Sequence, residues 1–159
     1  MKLLHKTHAT SVLLSLLMLL TLLSTTALAG KSVNPVNQTS KGIAVKGYDM
    51  VAYFIDSQPT KGNKEITYDW NGATWHFAST ENRDHFAGNP EKYAPQYGGY
   101  CAYAVSQGAT ATFDPKAWKI VNDKLYLNLN PKIQKRWGKD IPGYIIAADT
   151  NWPQIIAEK

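Results

Sequence analysis

The amino-acid sequence predicts a small single domain of the α+β class, in which two β-hairpins pack with several short helices. The first hairpin is indicated by alternating apolar residues on either side of Asn71-Gly72, a dipeptide typical of tight turns. The second is indicated by a similar alternation around Asn122-Asp123. Short helices are predicted between and after the hairpins, and this order of elements favours α+β over a doubly wound parallel sheet.

The first 29 residues predict a cleaved secretory signal peptide. Lys2 and Lys6 give a basic start, residues 12–23 form a leucine-rich apolar core, and Ala27-Leu28-Ala29 fits the small-x-small cleavage pattern. The apolar run is shorter than the roughly 20 residues that a membrane-spanning helix needs. We therefore expect cleavage before Gly30, a periplasmic or secreted protein, and no stable membrane insertion.

Charge and composition limit the partners of the protein. The 159-residue chain carries a formal net charge of +5, and loss of the predicted signal peptide removes two lysines and no acid, which leaves +3. This mild and scattered excess does not indicate nucleic-acid binding. Residues 30–40 are polar and without pattern, so we expect a flexible lead-in to a domain that spans residues 41–159.

The segment before the first hairpin is short and apolar. Residues 43–45 are predicted as a short strand, and Gly47-Tyr48-Asp49 as a tight turn that leads into a buried apolar run at residues 51–54. In the second hairpin, alternation is expected to place three leucines on one side of the strand. They are Leu125, Leu127 and Leu129.

Capping residues mark the predicted helices of the central region. Ser79 or Thr80 begins a helix that ends at Gly88, and Pro90 begins another that Pro95 breaks.

Farther along the chain, residues 100–107 predict a buried helix, and residues 130–137 predict a helix that starts at an Asn-Pro pair. Asp140 is expected to cap a last helix, which Pro153 stops.

The chain has a single cysteine, Cys101, so an intramolecular disulfide is impossible. In an oxidising compartment this thiol is expected to be buried, bound to a metal, reactive, or paired with another molecule. Its place at the start of a predicted helix suits a thiolate ligand or a nucleophile. Small apolar neighbours such as Ala102 and Val105 equally suit a packed, inert thiol.

Two histidines remain after the predicted cleavage. His76 lies on the strand face opposite Trp75 and Phe77, where it either binds a ligand or forms a structural hydrogen bond. His85 precedes the core residue Phe86 on a helix, so we expect it at the surface and favour it less as a ligand.

Aromatic residues are dense in the chain, with nine tyrosines and five tryptophans. Most are expected in the core, because rings supply much of the apolar burial of a small domain. Some are candidates to line a pocket for a flat or cationic ligand.

The central stretch resembles the YHS domain family, a short module associated with metals. The resemblance lies in Gly72, in Trp75-His76-Phe77-Ala78-Ser79 and in Asn89-Pro90-Glu91-Lys92-Tyr93, and it extends to residues 47–54 and 97–102. The chain looks like the periplasmic branch of the family. Many members carry a Cys-Gly-Met at the upstream motif and a further cysteine after the serine. This chain has neither, so a site of several thiolates is not implied.

The resemblance, taken with the ligand types, implies a non-catalytic binding module for a soft transition metal, copper before zinc. Cys101 and His76 are the expected ligands, with Met50 or Asp49, from the upstream motif, as a third group. A site of two or three ligands with an open position suits transient capture and handover, with a periplasmic protein as the partner. Met50 is equally suited to fill a gap in the core.

Two other classes of function remain open at this stage. One is a module that binds a small molecule or a protein partner in an aromatic pocket, with Cys101 merely buried. The other is a thiol-dependent enzyme, which is less favoured because the chain lacks the sequence patterns of known hydrolases and shows no third residue to orient a Cys-His pair.

Overall fold

The computed structural model describes residues 33–157. The predicted signal peptide at residues 1–29 lies outside the described residues and stays a prediction. Six helices and three two-stranded antiparallel sheets make up the described part of the chain, so the prediction of a small α+β domain is confirmed. The strands are β1 (Tyr48–Asp49), β2 (Thr60–Lys61), β3 (Asn63–Trp70), β4 (Ala73–Phe77), β5 (Asp114–Val121) and β6 (Lys124–Asn128). The helices are α1 (Met50–Ile55), α2 (Thr80–Gly88), α3 (Pro90–Tyr93), α4 (Ala102–Ser106), α5 (Pro131–Trp137) and α6 (Ile141–Ala157).

Both predicted hairpins are present, and their turns explain why. Asn71 and Gly72 have φ values of 51° and 73°, and Asn122 and Asp123 have 50° and 59°. Two successive positive φ values define the turn whose twist matches that of the flanking strands. β3 therefore pairs with β4, and β5 pairs with β6, in antiparallel register.

Strand β6 is buried on both faces, which the alternation of leucines did not indicate. Leu125 and Leu127 pack in a first hydrophobic cluster, whereas Tyr126 between them packs in a second. β6 is thus a wall shared by two cores. Leu129 lies beyond the end of the strand and is 37% exposed, so its predicted place beside the other leucines is wrong.

The first hydrophobic cluster contains the buried residues of the YHS-like region, and the second includes residues of α4, β6, α5 and α6. Buried members of the first cluster include Met50, Trp75, Phe77, Phe86 and Tyr93. Buried members of the second are Tyr97, Ala102, Val105, Tyr126, Trp137 and Ala148.

The segment before the first hairpin differs from its prediction. Residues 43–45 are not a strand, because Val45 and Lys46 have positive φ values of 42° and 55° and form a 3₁₀ turn, Val45–Gly47. The apolar run that follows is helix α1, for which Asp49 is the N-cap, and β1 and β2 form a third small sheet that the sequence did not indicate. Burial of Val45 in the first cluster holds this turn in place.

Helix α6 continues through Pro153 to Ala157, so the prediction that Pro153 ends it is wrong. A proline inside a helix costs one backbone hydrogen bond and a local clash. Packing of α6 before and after Pro153 offsets this cost. Ala148 is buried in the second cluster, and Trp152 and Ile155 pack against that cluster. No helix among residues 33–157 is long and apolar enough to cross a membrane.

The described part of the predicted lead-in is packed on the domain instead of flexible. Val36 is buried in the first cluster, and the backbone N–H of Asn37 donates to the carbonyl of Gly98 at 2.8 Å. The Asn37 side chain donates to the next carbonyl, that of Gly99, at 3.1 Å. The polar composition of this segment is therefore used for hydrogen bonds to a second 3₁₀ turn, Gln96–Gly99.

Residues 35–37 approach the backbone of Gly98 closely, so a substitution at Gly98 tests whether they pack there. Gly98 has φ of 58°, and a Cβ atom there would collide with the carbonyl oxygen of Pro35. Gly72 has φ of 73° with open space around it. We expect Gly72→Ala to lower the free energy of unfolding by about 1 kcal/mol through backbone strain alone. Gly98→Ala should lose a further ~1–3 kcal/mol, because backbone atoms cannot move aside easily.

Urea unfolding of the two variants checks this prediction. Equal losses for Gly98→Ala and Gly72→Ala would show that residues 35–37 are not seated on the second 3₁₀ turn.

Candidate functional site

Asp49 is a fully buried carboxylate that joins three segments of the chain. Its Oδ1 accepts hydrogen bonds from the backbone N–H groups of Val51 at 2.9 Å and Ala52 at 3.3 Å, which caps α1. Its Oδ2 accepts from the N–H of Ala78 at 2.8 Å and from the side chain of Asn82 at 2.7 Å. Four donors fill the acceptor capacity of the carboxylate. A metal at Asp49 would have to displace one of them, so this contact set indicates a structural role.

Met50 follows as the first residue of α1 and is fully buried. Its side chain belongs to the first hydrophobic cluster. This is the position of a core methionine that fills a gap between larger groups.

His76 lies on β4, on the face opposite the buried Trp75 and Phe77, as the alternation predicted. The ring lies against the 3₁₀ turn, since a Cβ at Gly47 would stand 3.1 Å from its Nδ1. Partial burial, and then the nearby charge of Lys61, lower the pKa of His76 below its ordinary value. The imidazole is therefore neutral at pH 7, which is the form that can bind a metal.

Cys101 is the N-cap residue of α4 and is only 1% exposed. Its backbone N–H donates to the carbonyl of Ala111 at 2.9 Å, and its thiol donates to Oδ1 of Asn128 at 3.8 Å. A thiol in this position is shielded from solvent and from reagents.

Asn128, at the end of β6, is fully buried, although a polar residue at the end of a strand is ordinarily expected at the surface or as a cap. Tyr126 lies two positions before Asn128, so the two side chains share one face of β6. An aromatic ring at that position indicates that this face of the strand is buried, and Tyr126 does pack in the second cluster. Within residues 33–157, Nδ2 of Asn128 and Nε1 of Trp137 are buried without a hydrogen-bond partner.

The predicted metal ligands do not converge on one point. Among residues 33–157, no group of three or more His, Cys, Asp or Glu side chains is placed to hold a metal ion, so Cys101, His76 and Asp49 form no such group. Cys101 faces Asn128, whereas His76 faces Gly47. Metal binding by a smaller set that includes Met50 stays a prediction. His85 is exposed on α2, as expected.

One concave feature of the described surface is a cleft with tryptophan on two walls. One part has a volume of about 490 Å³, and an adjoining hollow of about 340 Å³ shares Trp70, Ala94, Pro95 and Trp152 with it. Small-molecule sites usually fall between ~300 and 1,000 Å³. The larger part is lined by Trp70, Glu91, Ala94, Pro95, Gln96, Tyr97, Lys124, Asp149, Trp152 and Pro153. We call the two parts together the tryptophan cleft.

Each tryptophan of the cleft is held by its own core. Trp70 packs on the first cluster, with ring centroids 5.8 Å from both Trp75 and Phe86. Trp152 packs on the second cluster, 6.1 Å from Tyr97 and 5.8 Å from Tyr100. The cleft therefore opens where the two cores meet, and its walls are rigid because the rings are fixed from behind.

Hydrogen bonds hold α6 as the second wall of the cleft. The Asn151 side chain donates to the carbonyls of Val105 and Ser106, at 3.0 and 3.1 Å, and so joins α6 to the end of α4. The Tyr97 hydroxyl donates to Oδ1 of Asp149 at 2.8 Å. Burial raises the pKa of Tyr97, and the bond to Asp149 raises it further, so this hydroxyl stays a donor at neutral pH.

These features define a small α+β domain with an aromatic cleft. Residues 51–97 match the family model of the YHS domain, so the resemblance is confirmed over that stretch. The YHS domain is associated with metals, and the match is consistent with a non-catalytic binding module. No curated protein and no solved structure matches the chain.

The matched stretch supplies one wall of the cleft. It includes Trp70 and Glu91 and ends at Tyr97. Lys124, Asp149 and Trp152 lie after it, as does Cys101. The tryptophan cleft is therefore a joint feature of the YHS domain and the C-terminal helix.

Asp49 gives a direct test of its structural role. Asp49→Asn keeps the shape of the side chain but turns one acceptor oxygen into a donor, which leaves buried N–H groups without partners. We expect a loss of about 2–5 kcal/mol in the free energy of unfolding, measured by urea titration. Asp56→Asn, at an exposed position at the other end of α1, should change it by less than ~0.5 kcal/mol. A similar small change in both variants would contradict the role assigned to Asp49.

Proposed function

We propose that the protein is an exported, non-catalytic binding module that takes a small organic ligand in the tryptophan cleft. The observation that carries this proposal is the cleft itself, in which two anchored tryptophans from separate cores face a common space. Rigid aromatic walls with a few polar groups are typical of small-molecule sites. Export rests on the predicted signal peptide.

Burial of the cysteine supports this function over a thiol enzyme. A nucleophilic cysteine needs an accessible thiolate and a base within hydrogen-bond reach. Cys101 is shielded, and its side-chain contact is the amide of Asn128 and not an imidazole. This arrangement corresponds to the aromatic-pocket alternative, in which the thiol is a packed residue.

Binding in the cleft can be followed by the indole N–H signals of the tryptophans, and the tryptophans outside the cleft serve as controls. The five tryptophan indole N–H groups give separate signals in a ¹H–¹⁵N correlation spectrum, and only some of them lie in the cleft. We expect a ligand from a set of small neutral, anionic and cationic compounds to shift the signals of Trp70 and Trp152. The signals of Trp118 and Trp137, outside the cleft lining, should stay in place.

Assignment of the indole signals by single Trp→Phe substitutions makes this test specific. Shifts confined to Trp118 or Trp137, or no shift with any compound, would overturn the proposed function.

Soft-metal binding is a second candidate function, favoured by the match to a metal-associated domain and by the neutral imidazole of His76. In this proposal Cys101 and His76 bind copper before zinc, and Met50 or Asp49 assists. It requires the site to form by rearrangement, because these side chains lie apart and the thiol is buried.

Titration of the reduced protein from Gly30 onward with Cu(I), under a competing chelator, tests this candidate. If it holds, one-to-one binding is lost in both Cys101→Ala and His76→Ala and retained in His85→Ala, which removes an exposed imidazole on α2. Parallel titration with Zn²⁺ should show weaker binding. Absent binding, or binding unchanged by the first two substitutions, would rule out the site.

A further inference from the structure

We propose that the tryptophan cleft selects a small alkylammonium ion, because two tryptophans and two carboxylates line it and a proline interrupts the helix hydrogen bonds on one of its walls. This inference rests on the proposed function and adds the chemical class of the ligand.

The aromatic walls are suited to a cation. The faces of indole rings carry negative electrostatic potential, and tryptophan is the best aromatic partner for an ammonium group. Trp70 and Trp152 line both parts of the cleft, and Tyr97 adds a third ring to the larger part. Because each ring is packed against its own cluster, a ligand does not have to order them on binding.

The charges in the cleft also favour a cationic ligand. Glu91 and Asp149 line it as carboxylates, opposed by the single ammonium of Lys124. The cleft is thus locally acidic in a chain whose formal net charge is +5. The Tyr97 hydroxyl holds Asp149 in position through the bond to its Oδ1. A local excess of negative charge on a basic protein attracts cations selectively.

Pro153 provides an independent observation. Proline has no N–H, so the carbonyl of Asp149, four residues earlier in α6, cannot form its usual helix hydrogen bond. Asp149 and Pro153 both line the cleft. Asp149 therefore lies on the cleft wall at a turn of α6 that lacks one helix hydrogen bond, and an ammonium N–H is a donor that suits its carboxylate.

A matched pair of probes separates charge from shape. 3,3-Dimethylbutylamine, protonated at pH 7, and 3,3-dimethyl-1-butanol share one carbon skeleton and differ in the charged head group. We expect the amine to bind about tenfold more tightly than the alcohol, measured from the indole N–H shifts of Trp70 and Trp152. Added salt should weaken binding of the amine and leave binding of the alcohol unchanged.

Substitutions assign the selectivity to particular side chains. Glu91→Gln and Asp149→Asn should each weaken amine binding several-fold without changing alcohol binding, whereas Lys124→Gln should strengthen amine binding. Glu65→Gln removes an exposed carboxylate on β3 outside the cleft and serves as the control. Thermal unfolding of each variant verifies that the fold is retained.

The outcomes separate this inference from the proposed function. If the amine and the alcohol bind equally, or an anionic compound binds more tightly, the choice of ligand class is wrong. If the signals of Trp70 and Trp152 still shift in that case, the cleft remains the binding site. Absence of binding by the amine would overturn the inference, and absence of any shift across the whole compound set would overturn both.

Discussion

The buried carboxylate of Asp49 is the interaction on which the packing of α1 against the first hairpin depends. One oxygen fixes the first turn of α1, and the other fixes the junction where β4 ends and α2 begins. A buried charge is tolerated only where hydrogen bonds replace its lost hydration. Here four donors supply them, two in α1, one just after β4 and one in α2, so α1 and the first hairpin cannot move apart without breaking these bonds. This bond set positions Phe86 under Trp70 and Trp75.

The cleft follows from the way the two cores share β6. Leu125 and Leu127 bind the strand to the first cluster, and Tyr126 binds it to the second. Farther from this shared wall, the cores meet through the second 3₁₀ turn and α6 and no longer through a strand. The backbone of Gly98 packs against Pro35 there, which brings residues 35–36 to the floor of the smaller hollow. Trp70 and Trp152 both line the space that is left between the cores.

The parts of this structure that the sequence predicts are those encoded by neighbouring residues. Asn71-Gly72 and Asn122-Asp123 set the hairpins by their own φ preferences, and Ser79, Asn89 and Asn130 cap the helices that follow them. The errors arise where distant packing decides. The run through Pro153 and the burial of Asn128 depend on contacts with elements far along the chain. Trp70 and Trp152 are 82 positions apart, and nothing in local periodicity indicates that they line one cleft.

The burial of Cys101 is what the proposed export of the protein would require of a lone thiol. An accessible free thiol in an oxidising compartment is exposed to disulfide exchange and oxidation. Cys101 avoids both because the N-cap position, the bond to Ala111 and the contact with Asn128 hold it inside the fold. Its neighbour along the chain, Tyr100, packs instead on Trp152 and so supports the cleft wall. The Gly98–Cys101 stretch therefore links the shielded thiol to a wall of the cleft that is already held in place by packing.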